Sequence, residues 1–248
     1  MIPFRDENPS RTFPIVVVGL IAANVVVFVY QSMMPDLDQM LFFYTYGAVP
    51  AVLLGKATLA QVLPDQIRSA ATMASIRSDQ LQPVWLSIFT SMFVHGGLTH
   101  IGGNMLYLWI FGNNIEDALG HGRFLVFYFL CGLIAAGGQM LMSMSSPVPM
   151  IGASGAIAGV LGAYYLKFPR ARVRCLVFLF FFITVATLPA GLVLLLWFLL
   201  QVYQSLGAVG AHTAAGGVAV FAHIAGFIGG YVLVRRFEPR RRIRLSQW

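Results

Sequence analysis

The sequence predicts an all-α membrane protein, a six-transmembrane-helix bundle with its N and C termini cytoplasmic. Three observations lead there. The composition is 58% hydrophobic and only 10% charged, and the mean hydropathy of +0.77 lies far from that of a chain with a wetted surface. Apolar runs of about spanning length recur, separated by short polar or Gly/Pro-rich stretches. With both termini inside, 13 of the 16 Lys and Arg fall on the inner side, and only Lys56, Arg68 and Arg77 fall outside, as the positive-inside rule requires. Topology thereby accounts for the formal charge of +7, and a nucleic-acid partner is disfavoured.

Taken in order, residues 1–12 form a short cytoplasmic arm carrying Arg5, Asp6, Glu7 and Arg11. Residues 13–235 are the membrane domain. Its first span, Phe13 to Tyr30, is interrupted only by Asn24; it follows a mixed-charge start and lacks a small-residue cleavage site, so it reads as retained rather than as a signal peptide. Residues 31–94 are moderately apolar but broken by Pro35, Pro50, Pro64 and Pro83 and punctuated by charge, which predicts an outer interfacial loop with Tyr44 and Trp85 at headgroup level. The second span runs from about Ile101 to Ala118, the third from Phe124 to Met144 and the fourth from Ser154 to Phe168. After an arginine-rich turn, Cys175 to Leu188 reads as an interfacial or partly re-entrant stretch leading into the fifth span, roughly Pro189 to Gln204. The sixth span, Gly216 to Val234, ends at a basic cytoplasmic tail, residues 236–248. No internal repeat or soluble accessory domain is expected. Cys131 and Cys175 lie in no CxxC or metal-type spacing, so neither a disulfide nor a metal site is expected from them.

The stretch Pro149 to Gly159 concentrates the chemistry. Proline and glycine punctuate a loop, and Ser154 stands at the mouth of an apolar helix, where serine alone reads as a cap. Counting up from the inner edge at about 1.5 Å per residue, Ser154 stands roughly 20 Å up, and His223 and Asn104 roughly 18 Å, with His100 one turn higher. Four polar side chains from three helices thus share one depth within a core about 30 Å thick, where such groups face a cavity or one another. Small residues repeat every fourth position on both helices, at Ser154, Ala158 and Gly162 beside Gly155 and Gly159, and at Ala222, Gly226 and Gly230. Such stripes let backbones approach closely, which would bring Ser154 within reach of His223.

A serine hydroxyl needs an adjacent base, and His223 is the only histidine on either helix. No carboxylate lies at this depth, so a dyad is expected rather than a triad. Asn104 and His100, at i and i+4, suit a pair of oxyanion donors, and the Ser154 backbone N–H at a helix N-terminus would add a third. His95 reads as a hydrogen-bonded support, His121 and His212 as loop histidines. Zinc is disfavoured, since there is no HExxH and no acidic ligand near His95, His100 or His223. A two-aspartate protease is excluded because no span carries an aspartate at that depth.

The segments His95-Gly-Gly-Leu-Thr-His100-Ile-Gly-Gly-Asn104, Gly152-Ala-Ser154-Gly155 and Ala222-His223-Ile-Ala-Gly226-Phe-Ile-Gly-Gly230 resemble the rhomboid family of intramembrane serine proteases. The resemblance covers about Phe13 to Val234, with six spans in the family's order. It implies a rhomboid-like bundle with Ser154 as nucleophile, His223 as general base, His100, Asn104 and the Ser154 amide on the oxyanion, and His95 and Gly152 in support. It further implies single-span transmembrane protein substrates, a lipid bilayer as surroundings, no cofactor, and a fifth span that gates lateral entry. Some members carry an aromatic one turn after the serine, stacked on the catalytic histidine; that place is Ala158 here. The chain reads as a minimal six-span form, multi-pass, in a bacterial inner (cell) membrane. A non-catalytic binder of transmembrane clients and a small proton-coupled transporter are the competing classes.

Overall fold

The computed structural model describes residues 1–70, 83–179, 182–210 and 219–239. Strand β1 (Ile2–Asp6) leads into helix α1 (Ile15–Ser32). Short helices follow: α2 (Asp36–Tyr46), α3 (Pro50–Leu53), α4 (Leu59–Val62), α5 (Asp65–Ala70), then a 3₁₀ turn (Val84–Leu86) running into α6 (Ser87–Thr90). The four prolines of this region mark helix starts. Pro35 and Pro83 occupy cap positions and Pro50 stands in the first turn, where a missing N–H costs nothing. Thr58 and Gln61 cap α4 reciprocally through side chain and backbone.

Helix α7 (Leu98–Tyr107), a π-helical turn (Leu108–Gly112) and α8 (Asn113–Leu119) run end to end, followed by α9 (His121–Met142) and α10 (Ser154–Lys167). Strands β2 (Arg172–Leu179) and β3 (Phe182–Pro189) precede α11 (Ala190–Gly210) and α12 (Val220–Phe237). Among the described residues, three helices are long and apolar enough to cross a membrane: α1, α9 and α12, with hydropathies of 2.2, 1.9 and 1.3. Helix α10 differs from them. It is buried without a break from Ala156 to Tyr164, packed against α9 and α12. A helix apolar on every side belongs at the centre of a bundle.

The expectation of an all-α chain gives way at one edge of the molecule. β1, β2 and β3 form a three-stranded antiparallel sheet in that order. The N-terminal arm, expected to be a short polar cytoplasmic segment, supplies β1, and the described residues of the Cys175–Leu188 stretch, expected to be interfacial or partly re-entrant, lie in the paired strands β2 and β3. Val173, Val177, Ile183, Thr184, Val185 and Thr187 favour the pleated surface, and an apolar run this short does not distinguish helix from strand by periodicity. The start of the sixth span at Gly216 lies outside the described residues; α12 runs from Val220 to Phe237.

Two acids at the end of α8 secure the start of α1. The Glu116 carboxylate accepts from the Val16 and Val17 amides at 2.9 and 2.8 Å, and Asp117 Oδ1 accepts from the Thr12 amide and hydroxyl at 3.0 and 2.7 Å. Both act where a helix has unpaired N–H groups and a positive dipole end. His121, expected in a loop, is instead the first residue of α9, and its Nδ1 contacts buried Glu116.

The small-residue stripes bring α10 and α12 together backbone to backbone. A methyl at Gly226 would land on the Gly155 carbonyl, one at Gly230 on the Gly159 carbonyl, and one at Gly162 on the Phe227 carbonyl. The contact therefore runs through Gly155 and Gly159, next to the Ser154 and Ala158 positions. Gln139 of α9 accepts from the Ala222 amide at 3.2 Å, fixing the first turn of α12 one residue before His223.

Candidate active site

Ser154 is the first residue of α10, and Ala153 takes the cap position. The cap position that a lone serine would suggest for it is thus held by Ala153. The Ser154 Oγ lies 2.7 Å from His223 Nε2. The reason is the close approach of the two helices through Gly155 and Gly226, which sets the hydroxyl directly against the imidazole.

His100 and Asn104 come from α7. The Gly96 amide donates to His100 Nδ1 at 3.3 Å. A neutral imidazole with one nitrogen accepting carries its proton on the other, so Nε2–H is the free donor of His100. That nitrogen faces Gly152, where an added Cβ would stand 2.6 Å from Nε2 and 3.5 Å from Asn104 Nδ2. Gly152 also has φ of 112°, a conformation side chains resist. Only glycine both turns the chain into α10 and leaves room for the two donors. Asn104 is 8% exposed, and its buried Nδ2 has no hydrogen-bond partner among the described residues. Leaving a buried donor unpaired costs about 1–3 kcal/mol, an expense expected where a donor waits for a ligand.

His95 sits behind this layer, fully buried. Its Nδ1 faces the Phe93 carbonyl at 3.3 Å, and Nε2 accepts from the Ala153 amide at 3.5 Å. Through these contacts it ties the loop before α7 to the loop before α10. Gln31, near the end of α1, clamps the same loop from the other side: its Oε1 accepts from the His95 amide at 3.2 Å, and its Nε2 donates to the His95 carbonyl.

A cavity of about 460 Å³ opens at this point, lined among others by His100, Asn104, Ser154, Trp197, Gln201 and His223. The four expected polar residues therefore share one chamber, with Gly152 between them and His95 beneath. Gln31, Trp197 and Gln201 were not anticipated. Gln201 Oε1 lies 2.8 Å from His223 Nδ1, and the Trp197 ring faces the imidazole with centroids 5.8 Å apart. A tryptophan and a glutamine at i and i+4, in a stretch otherwise apolar from Ala190 to Val202, were the available signal. Ala158 is fully buried, so the imidazole is held from α11 rather than from α10. His212 lies outside the described residues.

A mostly helical membrane domain with a serine–histidine pair in a polar chamber defines the class. The family model "Rhomboid domain" matches residues 82–238, and the chain belongs to the rhomboid family. It is 40% identical over 82 residues to "Rhomboid protease GluP" of Bacillus subtilis (strain 168), covering 33% of this chain and 16% of that protein. It is 30% identical over 169 residues to "Rhomboid protein 1, mitochondrial" of Saccharomyces cerevisiae, covering 65% and 45%. It is also 30% identical over 178 residues to the human "Presenilin-associated rhomboid-like protein, mitochondrial", covering 71% and 37%. The chain spans less than half the length of each of these relatives. Family and apolar helices together make it a multi-pass integral membrane protein.

Proposed function

We propose that this protein is an intramembrane serine endopeptidase, hydrolysing peptide bonds in or near the transmembrane segments of single-span membrane proteins. The observation that carries the reading is the 2.7 Å contact between Ser154 Oγ and His223 Nε2, facing a cavity whose Asn104 amide has a spare donor.

His223 Nε2 takes the Ser154 proton as Oγ attacks the scissile carbonyl. The carbonyl oxygen becomes an oxyanion, held by Asn104 Nδ2–H, His100 Nε2–H and the Ser154 amide. On collapse the C–N bond breaks and the imidazolium returns the proton to the leaving amine. Water then attacks the acyl-enzyme, with His223 again as base, and releases the carboxyl product. The helix N-terminus favours the developing negative charge.

The reading places six spans in the bilayer with both termini cytoplasmic, supported by the 13 of 16 basic residues on that side. Residues 31–94 form the outer interfacial loop. A bacterial inner (cell) membrane is the proposed compartment; among the relatives, the Bacillus subtilis protein is bacterial and the yeast and human proteins are named mitochondrial. The test compares wild type with Ser154→Ala in liposomes against a labelled single-span reporter bearing Ala/Gly near its outer end. Cleavage by wild type alone is expected; cleavage by Ser154→Ala removes the reading.

A further inference from the structure

Among the described residues, none of those lining the cavity is a carboxylate, and the residue one turn beyond Ser154 is an alanine. The imidazole is nevertheless held, and from a single helix. Gln201 of α11, 7% exposed, brings Oε1 to 2.8 Å from His223 Nδ1. Trp197, one turn earlier, covers the ring. Trp197 in turn stacks on Phe227 of α12 at 6.2 Å and 28°, and Phe198 meets the same ring at 4.7 Å. The amide and the imidazole are therefore placed relative to one another by aromatic packing between α11 and α12.

We propose that Gln201 is the positioning residue of the Ser154–His223 pair: by accepting Nδ1–H it fixes the tautomer that leaves the Nε2 lone pair facing the serine hydroxyl. This rests on the serine-protease reading above. A neutral imidazole offers one donor and one acceptor. With its proton on Nε2 the ring would donate to Ser154 Oγ and could not take the serine proton, and a base held in the wrong tautomer is a severely impaired one. In soluble serine hydrolases a carboxylate prevents this; within a bilayer a carboxylate carries a steep desolvation cost. A neutral amide oxygen performs the same orientation without burying a charge. Helix α11 also lines the cavity through Trp197 and Gln201.

Two substitutions separate this role from packing. Gln201→Glu keeps an acceptor oxygen at that position whether or not it is ionised, whereas Gln201→Leu keeps the bulk and offers no acceptor. Full-length wild type, both variants and Ser154→Ala are reconstituted in liposomes. Each is read by kcat and KM on the single-span reporter and by the rate of covalent labelling with a small fluorophosphonate, which does not need a transmembrane substrate to dock. Gln201→Leu is expected to lower both kcat and labelling at least about tenfold, or 1.36 kcal/mol of barrier, with KM changed less than about twofold. Gln201→Glu is expected to recover at least about tenfold over the leucine variant. Should Gln201→Leu lower the melting temperature, Gln201→Met replaces it as the acceptor-free variant. Wild-type labelling of the acceptor-free variant, a loss confined to KM, or equal impairment of the leucine and glutamate variants overturns the proposal. Cleavage or labelling by Ser154→Ala instead removes the serine-protease reading, and this inference with it; an unlabelled Ser154→Ala beside a fully labelled Gln201→Leu removes only the positioning role.

Discussion

Replacing Gly226 by alanine tests how tightly catalytic geometry depends on the meeting of α10 and α12. The added methyl would fall on the Gly155 carbonyl oxygen and stand 3.2 Å from its carbon. Both contacts are with backbone, so no side chain can swing aside. Restoring an ordinary contact of 3.4 Å or more requires the helices to part by about 1 Å, the scale of displacement that costs an active site about 10²-fold. Ser154 immediately precedes Gly155, and His223 lies three residues before Gly226. The same parting stretches the 2.7 Å Oγ–Nε2 contact toward about 3.7 Å, beyond hydrogen-bond range. Over-packing also destabilises by roughly 1–3 kcal/mol. The assay is reporter cleavage in liposomes, normalised to folded protein, together with thermal unfolding. The expected result is a fall in kcat of about 10²-fold with a lowered melting temperature. Gly19→Ala on α1 is the control, since nothing lies within 4 Å of a Cβ there and wild-type cleavage is expected. A Gly226→Ala protein with wild-type kcat and stability would refute the helix-spacing reasoning.

Two further outcomes follow from the same structure. Asn104→Ala is expected to lower kcat about 10²–10³-fold, as for loss of an oxyanion donor, without loss of melting temperature, because the Nδ2 it removes is unpartnered; an unstable but fully active variant would contradict this. Asp6 of β1 bonds the Tyr164 hydroxyl at 2.7 Å and Asn114 Nδ2 at 2.8 Å. Burial raises its carboxyl above 3.8, opposed more weakly by the bonds from Tyr164 and Asn114 and by Arg5. The folded state therefore favours protonated Asp6, so this contribution to stability is complete below pH 3.8 and is lost as pH rises through the elevated folded value. Asp6→Asn is expected to flatten that decline in melting temperature against pH; an unchanged profile would exclude Asp6 as its source.

Much of the bundle and most of the chamber were legible along the chain, for physical reasons. Apolar length and basic asymmetry are properties of composition, and they mark the helices before any packing is known. The depth match of Ser154, His223, Asn104 and His100 follows from the constant rise of a helix, and the glycine stripes announce where two backbones meet. The sheet was less legible because Cys175–Leu188 has the length and apolarity of either state, and pairing with β1 arises from residues far apart in sequence. The serine taken alone read as a cap, and only the small-residue stripes of the two helices pointed its hydroxyl toward the imidazole. Gln31 carries no spacing signal, and the i, i+4 spacing of Trp197 and Gln201 does not say what they meet, since that depends on the rotation of α1 and α11 about their own axes. Sequence alone named Ser154, His223, Asn104 and His100 as one candidate group. The tertiary structure decided which faces turn toward each other, because hydrogen bonds between helices are set by ångström-scale packing that no one-dimensional pattern encodes.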